Sequence, residues 1–217
     1  PSPPPPFMVD IPTNRLLFVL FGELTERKGV MRLIEALAIL PADVAERIAV
    51  VVAGRLDGGL RPTVQQASRR LTSARPDIWF RLEDRRLAEN ELAQLVGRSD
   101  LVLAPYQRFV GSSGILMWAA QMRRPVICPD YGLLGHLTRR HALGLTVDTM
   151  DAGELAGAIA LATRRGPAEL GDPVKMADFA ALHTPERFAQ TLLRHALGPP
   201  AESMAPSLSP AARIASE

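Results

Sequence analysis

Short apolar runs alternate with longer amphipathic segments along most of this 217-residue sequence. The runs are six in number and cover residues 16–21, 48–54, 78–82, 101–105, 125–129 and 144–148. Several are apolar throughout, which is typical of strands buried on both faces of a parallel sheet. Between them, apolar residues at helical spacing predict helices, as in the stripe of Val30, Leu33, Ile34, Leu37 and Leu40. The alternation predicts an α/β fold, a Rossmann-like doubly wound parallel sheet of about six strands.

Both ends of the sequence differ in composition from the part between them. Residues 1–14 are rich in proline, which lacks a backbone N–H, and predict an extended linker without a helix. Residues 198–217 are rich in Pro, Ser and Ala without periodicity and predict a disordered tail. One folded domain is therefore expected over residues 15–197, with Asp151 and Thr184 as candidate helix N-caps. Because the sequence starts at Pro1, we expect it to be a piece of a longer protein.

Composition and charge argue against nucleic acid as the ligand, against a metal site and against a membrane span. The formal net charge is +2, and the arginines are scattered, so no dense basic stripe for nucleic acid is present. The single cysteine, Cys128, excludes an internal disulfide, and the four histidines show no metal-ligand spacing, so we expect no metal. No apolar stretch is long enough to span a bilayer, and no signal peptide is evident. The expected location is the cytoplasm or the cytoplasmic membrane surface.

In an open parallel sheet, ligands bind beyond the carboxyl ends of the strands. The loop after residues 16–21 contains Gly22 and Gly29, which allow tight turns, and Lys28 just before a helix start. Two interpretations are open. In one, the Lys28 ammonium and the helix N-terminus face an anion together; in the other, Lys28 is an ordinary solvated lysine beside a turn.

The loop after residues 101–105 carries a second candidate site. It contains Gly111, Ser112, Ser113 and Gly114, directly before a predicted helix. Backbone N–H groups and two hydroxyls at a helix N-terminus suit a diphosphate, although a simple serine N-cap explains the residues equally well. Arg108, just upstream, either adds a phosphate contact or lies on the surface.

Four segments, taken in order, resemble one protein family. The segments LFGELTERKGVMRLIEAL and VVVAGRLDGG are similar to the first two strands and turns of the C-terminal domain in retaining, group-1-type GT-B glycosyltransferases. The stretch SDLVLAPYQRFVGSSGILMWAAQMRRPVICPDYGLLGHL resembles that family's donor-binding loop, helix and Pro-Val strand. The resemblance covers about residues 15–197 and implies the C-terminal half of a GT-B enzyme.

The resemblance implies roles for particular residues. Lys28 would bind the diphosphate of a nucleotide-sugar donor, and Gly22 would let the donor approach. The helix N-terminus at Gly111, Ser112, Ser113 and Gly114 would hold the sugar or the distal phosphate, with Arg108 as a further contact. The acceptor would bind to an N-terminal domain that this sequence lacks.

The sequence departs from the family's pattern in three respects, one of which is that Arg124 or Arg123 stands where the family has a glycine before the Pro-Val strand. Glu23 stands where the family has an arginine beside the glycine, and its charge would repel a diphosphate. Val110 and Trp118 stand at the two positions of the family's Glu-x7-Glu pair. Trp118 is either a packing residue or a stacking wall. Together with the Gly-Ser-Ser-Gly loop, it resembles a branch of these enzymes that carries a Trp in place of the pair.

The sequence therefore predicts the donor-binding domain of a metal-independent glycosyltransferase that is inactive as this isolated fragment. A non-catalytic nucleotide-sugar-binding or interaction module is the main alternative, because both carboxylates are missing. A nicotinamide-dependent dehydrogenase domain fits the fold class, but the sequence has no Gly-x-Gly-x-x-Gly motif to support it.

Overall fold

The computed structural model describes residues 5–111, 113–184 and 187. The chain divides into a compact unit, Pro1–Ala181, and a second unit, Leu182–Glu217. Nearly all of the described residues belong to the first unit. The helix predicted after Thr184 and the tail predicted over residues 198–217 lie outside the described residues, apart from Arg187.

The sheet confirms all six predicted strands. They are β1 (Leu16–Phe21), β2 (Ile48–Ala53), β3 (Trp79–Glu83), β4 (Leu101–Leu103), β5 (Val126–Pro129) and β6 (Gly144–Val147). Every neighbouring pair is parallel, and the spatial order is β3-β2-β1-β4-β5-β6. This is the strand order of a doubly wound Rossmann-type sheet. The predicted fold class is therefore confirmed.

Helices connect the strands and cover both faces of the sheet. In the described part of the chain they are α1 (Pro6–Val9), α2 (Val30–Ala38), α3 (Ala42–Ala45), α4 (Arg61–Ala74), α5 (Glu89–Arg98), α6 (Gly114–Gln121), α7 (Gly132–Arg140), α8 (Ala152–Arg165) and α9 (Pro173–Leu182). The apolar stripe predicted for α2 is buried. Asp151 caps α8 as predicted, accepting hydrogen bonds from Gly153 N at 2.6 Å and Glu154 N at 3.0 Å.

Two apolar layers sandwich the sheet, because successive strand residues point to opposite faces. On β1, Phe18 and Leu20 pack with the layer of α2, α3, α4 and α8, whereas Leu17, Val19 and Phe21 pack with the layer of α1, α5, α6, α7 and α9. Both faces of the central strands are covered, which explains why their sequences are apolar throughout.

The chain reverses its direction of winding between β1 and β4. From β1 it passes to β2 and then β3 on one side, and it returns to β4, β5 and β6 on the other. In the pairing of β1 with β4, Phe18 lies opposite Leu101 and Val19 opposite Val102. The loops after β1 and β4 therefore diverge and leave a crevice at the carboxyl edge of the sheet, where ligands of this fold bind.

The prediction of an extended linker over residues 1–14 is wrong for the described residues 5–14. Pro6–Val9 forms one helical turn, with proline in the first turn, where its missing N–H costs nothing. Phe7 and Met8 are 2% and 1% exposed and belong to the second apolar layer. The Arg98 guanidinium donates to the Met8 carbonyl at 2.7 Å, which fixes the turn against α5. Packing by the two apolar residues outweighs the local preference of the proline run.

This packing makes the N-terminal turn part of the core, which a linker would not be. We predict that Phe7→Ala lowers the free energy of unfolding by about 3–5 kcal/mol, the usual cost of removing a buried phenylalanine. Val9→Ala is the matched control, because Val9 lies on the same turn and is 65% exposed. Its cost should stay near 0.5 kcal/mol. Denaturant unfolding of the two variants checks this, and equal stabilities would restore the linker interpretation.

Candidate functional site

Lys28 lies in the loop that follows β1, at the end of the 3-10 turn Glu26–Lys28. Lys28 is 7% exposed, so the interpretation of Lys28 as an ordinary solvated lysine is wrong. The Nζ atom donates to the Phe21 carbonyl at 3.3 Å and to the hydroxyl of Tyr106. The side chain thus folds back under its own loop, and its ammonium lies at the carboxyl ends of β1 and β4.

Two glycines determine the shape of this loop. Gly22 has φ 108° and is exposed, and a Cβ atom placed on it would lie 3.3 Å from the Lys28 Nζ. The missing side chain therefore leaves the backbone over the ammonium uncovered. Gly29 has φ 69°, and a Cβ atom there would lie 1.9 Å from the Pro105 carbonyl oxygen. Only glycine allows the loop after β1 to pack this closely on the loop after β4.

Ser113 brings the second loop to the same point. It is the N-cap of α6, and its Oγ atom accepts from the Ile115 N–H at 3.5 Å. The same Oγ atom lies 2.8 Å from the Tyr106 hydroxyl. The helix predicted after this loop is therefore present, and Ser113 lies at its N-terminus as its N-cap. Gly114 is the exposed first residue of α6, and Gly111 lies against the ring of Phe109. Ser112 lies outside the described residues.

Within the described part of the chain, the charge of Lys28 has no partner of opposite sign. Among the described residues, no carboxylate lies within ion-pair distance of its Nζ atom. Burial, together with the neighbouring charge of Arg27, lowers the pKa of Lys28 to about 8. A buried cation without a counter-ion is unfavourable in a protein interior, and such groups concentrate at functional sites.

Tyr106 joins the two loops, and no pattern in the sequence distinguishes it from other buried aromatic residues. It follows Pro105 at the end of β4, is 0% exposed, and its hydroxyl contacts both Lys28 and Ser113. Burial raises the pKa of Tyr106, so the phenol stays protonated. Its position after a central strand would make it a candidate site residue, but a tyrosine at that position is equally compatible with packing alone.

Arg27 contributes positive charge beside these groups. Its guanidinium carbon lies 4.3 Å from the ring centroid of Phe109 and 5.3 Å from that of Tyr106. These are cation–π distances, which hold an exposed arginine in place at the entrance to the site. Like Tyr106, Arg27 was not among the residues expected from the sequence.

Arg108 lines a cavity whose lining includes neither Lys28 nor Ser113. Arg108 is exposed and has φ 49°, and this cavity of about 470 Å³ lies at the start of α2. That cavity also carries the side chains of Glu26, Arg27, Arg32, Glu35 and Gln107. The role of Arg108 as a phosphate contact therefore stays a prediction.

A second cavity, of about 530 Å³, opens beside Gly22. It lies over the ends of β1 and β2 and the start of α5, and its lining includes Gly22, Glu23, Gly54, Arg55, Arg86, Leu87, Glu89 and Leu92. Glu23 and Arg55 form an exposed ion pair at 3.6 Å, each with 70% of its side chain accessible. The charge of Glu23, which the sequence suggested would repel a diphosphate, is thus offset locally by Arg55.

The two residues at the positions of the missing carboxylates have different environments. Val110 is 73% exposed in the loop before α6. Trp118 lies on α6, is partly buried, and packs against the second apolar layer. Of the two alternatives for Trp118, the structure therefore supports packing.

The described residues offer neither a metal-binding cluster nor a membrane-spanning helix. The described residues contain no cluster of three or more His, Cys, Asp or Glu side chains that could hold a metal ion. Within the same residues, no helix has the length and apolar character needed to cross a bilayer. The expectation that no metal is required stays a prediction.

The sequence matches one protein family over most of its length. The family model described as "Glycosyl transferases group 1" matches residues 15–164. No curated protein sequence matches the chain significantly.

Solved structures of sugar-transferring enzymes share the fold. OtsA, a trehalose-6-phosphate synthase, superposes with a TM-score of 0.73 at 14% identity, over 90% of this chain and 47% of that one. WaaG, a glycosyltransferase involved in lipopolysaccharide biosynthesis, gives 0.61 at 22% identity, over 87% and 48%. The C-terminal domain of the group 1 glycosyl transferase LpcC from Francisella tularensis gives 0.64 at 15% identity, over 76% and 84%.

The chain spans about half the length of OtsA and WaaG, but most of the isolated C-terminal domain of LpcC. At these identities the neighbours establish the fold, a Rossmann-like domain of the GT-B type. The family match covers more than two thirds of the sequence and includes the loops of Lys28 and Ser113. The chain therefore belongs to the group 1 glycosyl transferases.

Proposed function

We propose that this chain is the donor-binding domain of a glycosyltransferase that moves a sugar from a nucleotide-diphosphate sugar to an acceptor. The observation that carries the proposal is the buried Lys28 ammonium, which has no carboxylate partner in the described residues and lies beside the N-cap of α6. A diphosphate at this point supplies the missing negative charge. It also accepts hydrogen bonds from the helix N-terminus, where the macrodipole favours anions.

The same groups suit the chemistry of the transfer. When the glycosidic bond to the donor breaks, negative charge develops on the departing diphosphate. A fixed ammonium and fixed N–H groups stabilise that charge without having to reorganise, which lowers the barrier. Because Lys28 and the N-terminus of α6 can provide this stabilisation, the proposal requires no metal ion.

The nucleoside is assigned to the cavity beside Gly22. This cavity of about 530 Å³ is continuous with the glycine that lies over Lys28, so a nucleoside there would carry its phosphates toward the ammonium. Solved structures similar to the chain include UDP-forming trehalose-phosphate synthases from Burkholderia xenovorans, which makes uridine the first base to test. The acceptor and its binding groups belong, in this proposal, to an N-terminal domain, so the isolated chain is expected to be inactive.

A non-catalytic nucleotide-sugar-binding module is the second candidate. It is favoured by one observation, that Val110 and Trp118 occupy the positions of both carboxylates, the first exposed to solvent and the second partly buried against the second apolar layer. The two candidates differ when the chain is joined to an acceptor-binding domain. Release of the nucleoside diphosphate in the presence of acceptor supports the enzyme, whereas binding without release supports the module.

Removing the ammonium should weaken diphosphate binding without unfolding the domain. We predict that Lys28→Met binds the preferred diphosphate roughly 10- to 100-fold more weakly, since a hydrogen bond to a charged group contributes about 1.5–3 kcal/mol. Ser113→Ala should lose roughly three- to tenfold. Calorimetric titration of the chain with UDP, GDP, ADP and the matching monophosphates measures both effects. Lys175→Met is the matched control, because Lys175 is the other lysine of the sequence and is exposed on α9.

The outcomes of this titration are distinct. Tighter binding of one diphosphate than of its monophosphate supports the donor-binding role and identifies the base. If Lys28→Met binds as tightly as the parent, the site is assigned to the wrong residues. If the parent binds no diphosphate, donor binding by this chain alone is contradicted.

The pKa of Lys28 gives binding and stability opposite dependences on pH. The charged lysine is the form that binds an anion, so diphosphate affinity should fall as the pH rises through about 8. The free energy of unfolding of the ligand-free domain should instead rise with pH. The pKa is about 8 in the folded chain and 10.5 in its reference state, so between these values the unfolded chain binds more protons and stability rises with pH.

Below pH 8 the buried charge therefore costs the folded domain roughly 3 kcal/mol. Lys28→Met should remove this cost, so that the variant is at least as stable as the parent at pH 7 while it binds the diphosphate poorly. Denaturant unfolding at pH 6.5, 7.5 and 8.5 checks the direction of the stability change, and calorimetry at the same pH values checks the direction of the affinity change. An affinity that is constant over this range, or a variant that is clearly less stable than the parent, would be against this assignment.

A further inference from the structure

Tyr106, in the loop after β4, receives contacts from the loops that follow three other strands. Its hydroxyl contacts Lys28 from the loop after β1. Its carbonyl oxygen accepts from the Tyr131 hydroxyl at 3.2 Å, after β5, and from the Thr149 hydroxyl at 2.7 Å, after β6. Tyr106 itself belongs to the loop after β4, where its N–H donates to the Ala104 carbonyl at 2.7 Å. Three of these hydrogen bonds fix the backbone of Tyr106 from different directions, and the side chain that it carries is fully buried.

Gln107 strengthens the same anchoring. Its side-chain nitrogen donates to the Pro105 carbonyl at 2.9 Å and to the Thr149 carbonyl at 2.7 Å. Its backbone N–H donates to the Arg27 carbonyl at 2.8 Å, directly before Lys28 in the sequence. The loops after β1, β4 and β6 are thus tied together immediately beside the tyrosine, and the phenol has little freedom to move.

The hydrogen bonds around the phenol have a definite direction. A lysine ammonium only donates, so the Tyr106 oxygen accepts from Lys28. The phenol O–H is then free to donate to Ser113 Oγ, which lies 2.8 Å away. Ser113 Oγ also accepts from the Ile115 N–H, so its own O–H remains to be donated elsewhere. Lys28 retains a third N–H beyond the two whose acceptors are Phe21 and Tyr106.

The two remaining donors are close together. The Lys28 nitrogen and the Ser113 oxygen are both hydrogen-bonded to one phenol oxygen, so they are separated by no more than about 6 Å, twice a hydrogen-bond length. Oxygen atoms on adjacent phosphates of a diphosphate can bridge such a distance. A neutral phenol also differs from a carboxylate in one decisive respect, because it holds the ammonium without neutralising its charge.

We infer that Tyr106 is a positioning residue of the donor site, which orients the Lys28 ammonium and the Ser113 hydroxyl toward one diphosphate while leaving the lysine charge available to it. This inference rests on the proposed function. Tyr106 does not touch the donor itself. Its phenol acts by fixing two donors that belong to different loops, so that their arrangement exists before the ligand binds. Such preorganisation strengthens binding because less ordering is required on association.

Tyr106→Phe tests the inference, because it keeps the buried ring and removes only the hydroxyl. Lys28 then loses an acceptor that stabilises its charged form, so its titration midpoint should fall by about one pH unit. The charged and titratable groups against Lys28 in the described residues are Arg27 and Tyr106, and Arg27 is unchanged in the variant. Affinity for the preferred diphosphate should fall about tenfold at pH 7.5.

The composition of the chain makes the titration simple to read. Lys28 and Lys175 are the two lysines of the sequence, so selective ¹³C labelling of lysine gives two side-chain signals, and Lys175 provides the reference. The midpoint of Lys28 is measured without ligand in the parent and in Tyr106→Phe. Thr163→Val is the control for the loss of a buried hydroxyl, because the Thr163 hydroxyl donates within α8 to the Ile159 carbonyl at 2.8 Å, remote in sequence from both loops.

The results separate this inference from the proposed function. A lower Lys28 midpoint together with weaker diphosphate binding in Tyr106→Phe, and neither change in Thr163→Val, supports the positioning role. An unchanged Lys28 midpoint in Tyr106→Phe overturns that role, whatever happens to the affinity, while diphosphate binding by the parent leaves the proposed function intact. A parent chain that binds no diphosphate contradicts the proposed function and this inference with it.

Discussion

The site depends on one unfavourable arrangement, a buried ammonium that is held by a neutral hydroxyl rather than by a carboxylate. Lys28 is 7% exposed, and its pKa is lowered to about 8. Its Nζ atom is hydrogen-bonded to the Phe21 carbonyl and to the phenol of Tyr106. An aspartate in place of the phenol would satisfy the lysine and leave no net attraction for an anion. In the proposed function, the domain instead keeps a charge that is costly in the free state and is stabilised when an anion binds.

The rest of the fold makes this arrangement possible. Apolar layers on both faces of the parallel sheet hold β1 and β4 side by side, and the reversal of winding between them separates the loops that follow. Gly29 then allows the two loops to approach again beside the Pro105 carbonyl, and Gly22 leaves the ammonium uncovered by a side chain. The core thus supplies a rigid edge, and two glycines adjust the backbone where the ligand is expected.

Much of this architecture could be predicted from the sequence, because buried parallel strands and amphipathic helices have strong hydrophobic periods. The six strands, the α2 stripe and the Asp151 cap all follow from such local patterns. The role of Tyr106 could not be predicted, since it depends on contacts with residues 78 positions before it and 7 after it. The helical turn at Pro6–Val9 was missed for a related reason. Its formation depends on the burial of Phe7 and Met8 against distant elements, which outweighs the local proline signal.

The most direct test of the account is a crystal structure of the chain with the nucleoside diphosphate that it prefers. The account predicts phosphate oxygens within hydrogen-bond distance of Lys28 Nζ and Ser113 Oγ, with the nucleoside in the cavity beside Gly22 and the phenol of Tyr106 unmoved. A diphosphate bound instead at the cavity of Arg27, Arg32 and Arg108, with no phosphate oxygen near Lys28 Nζ, would contradict it.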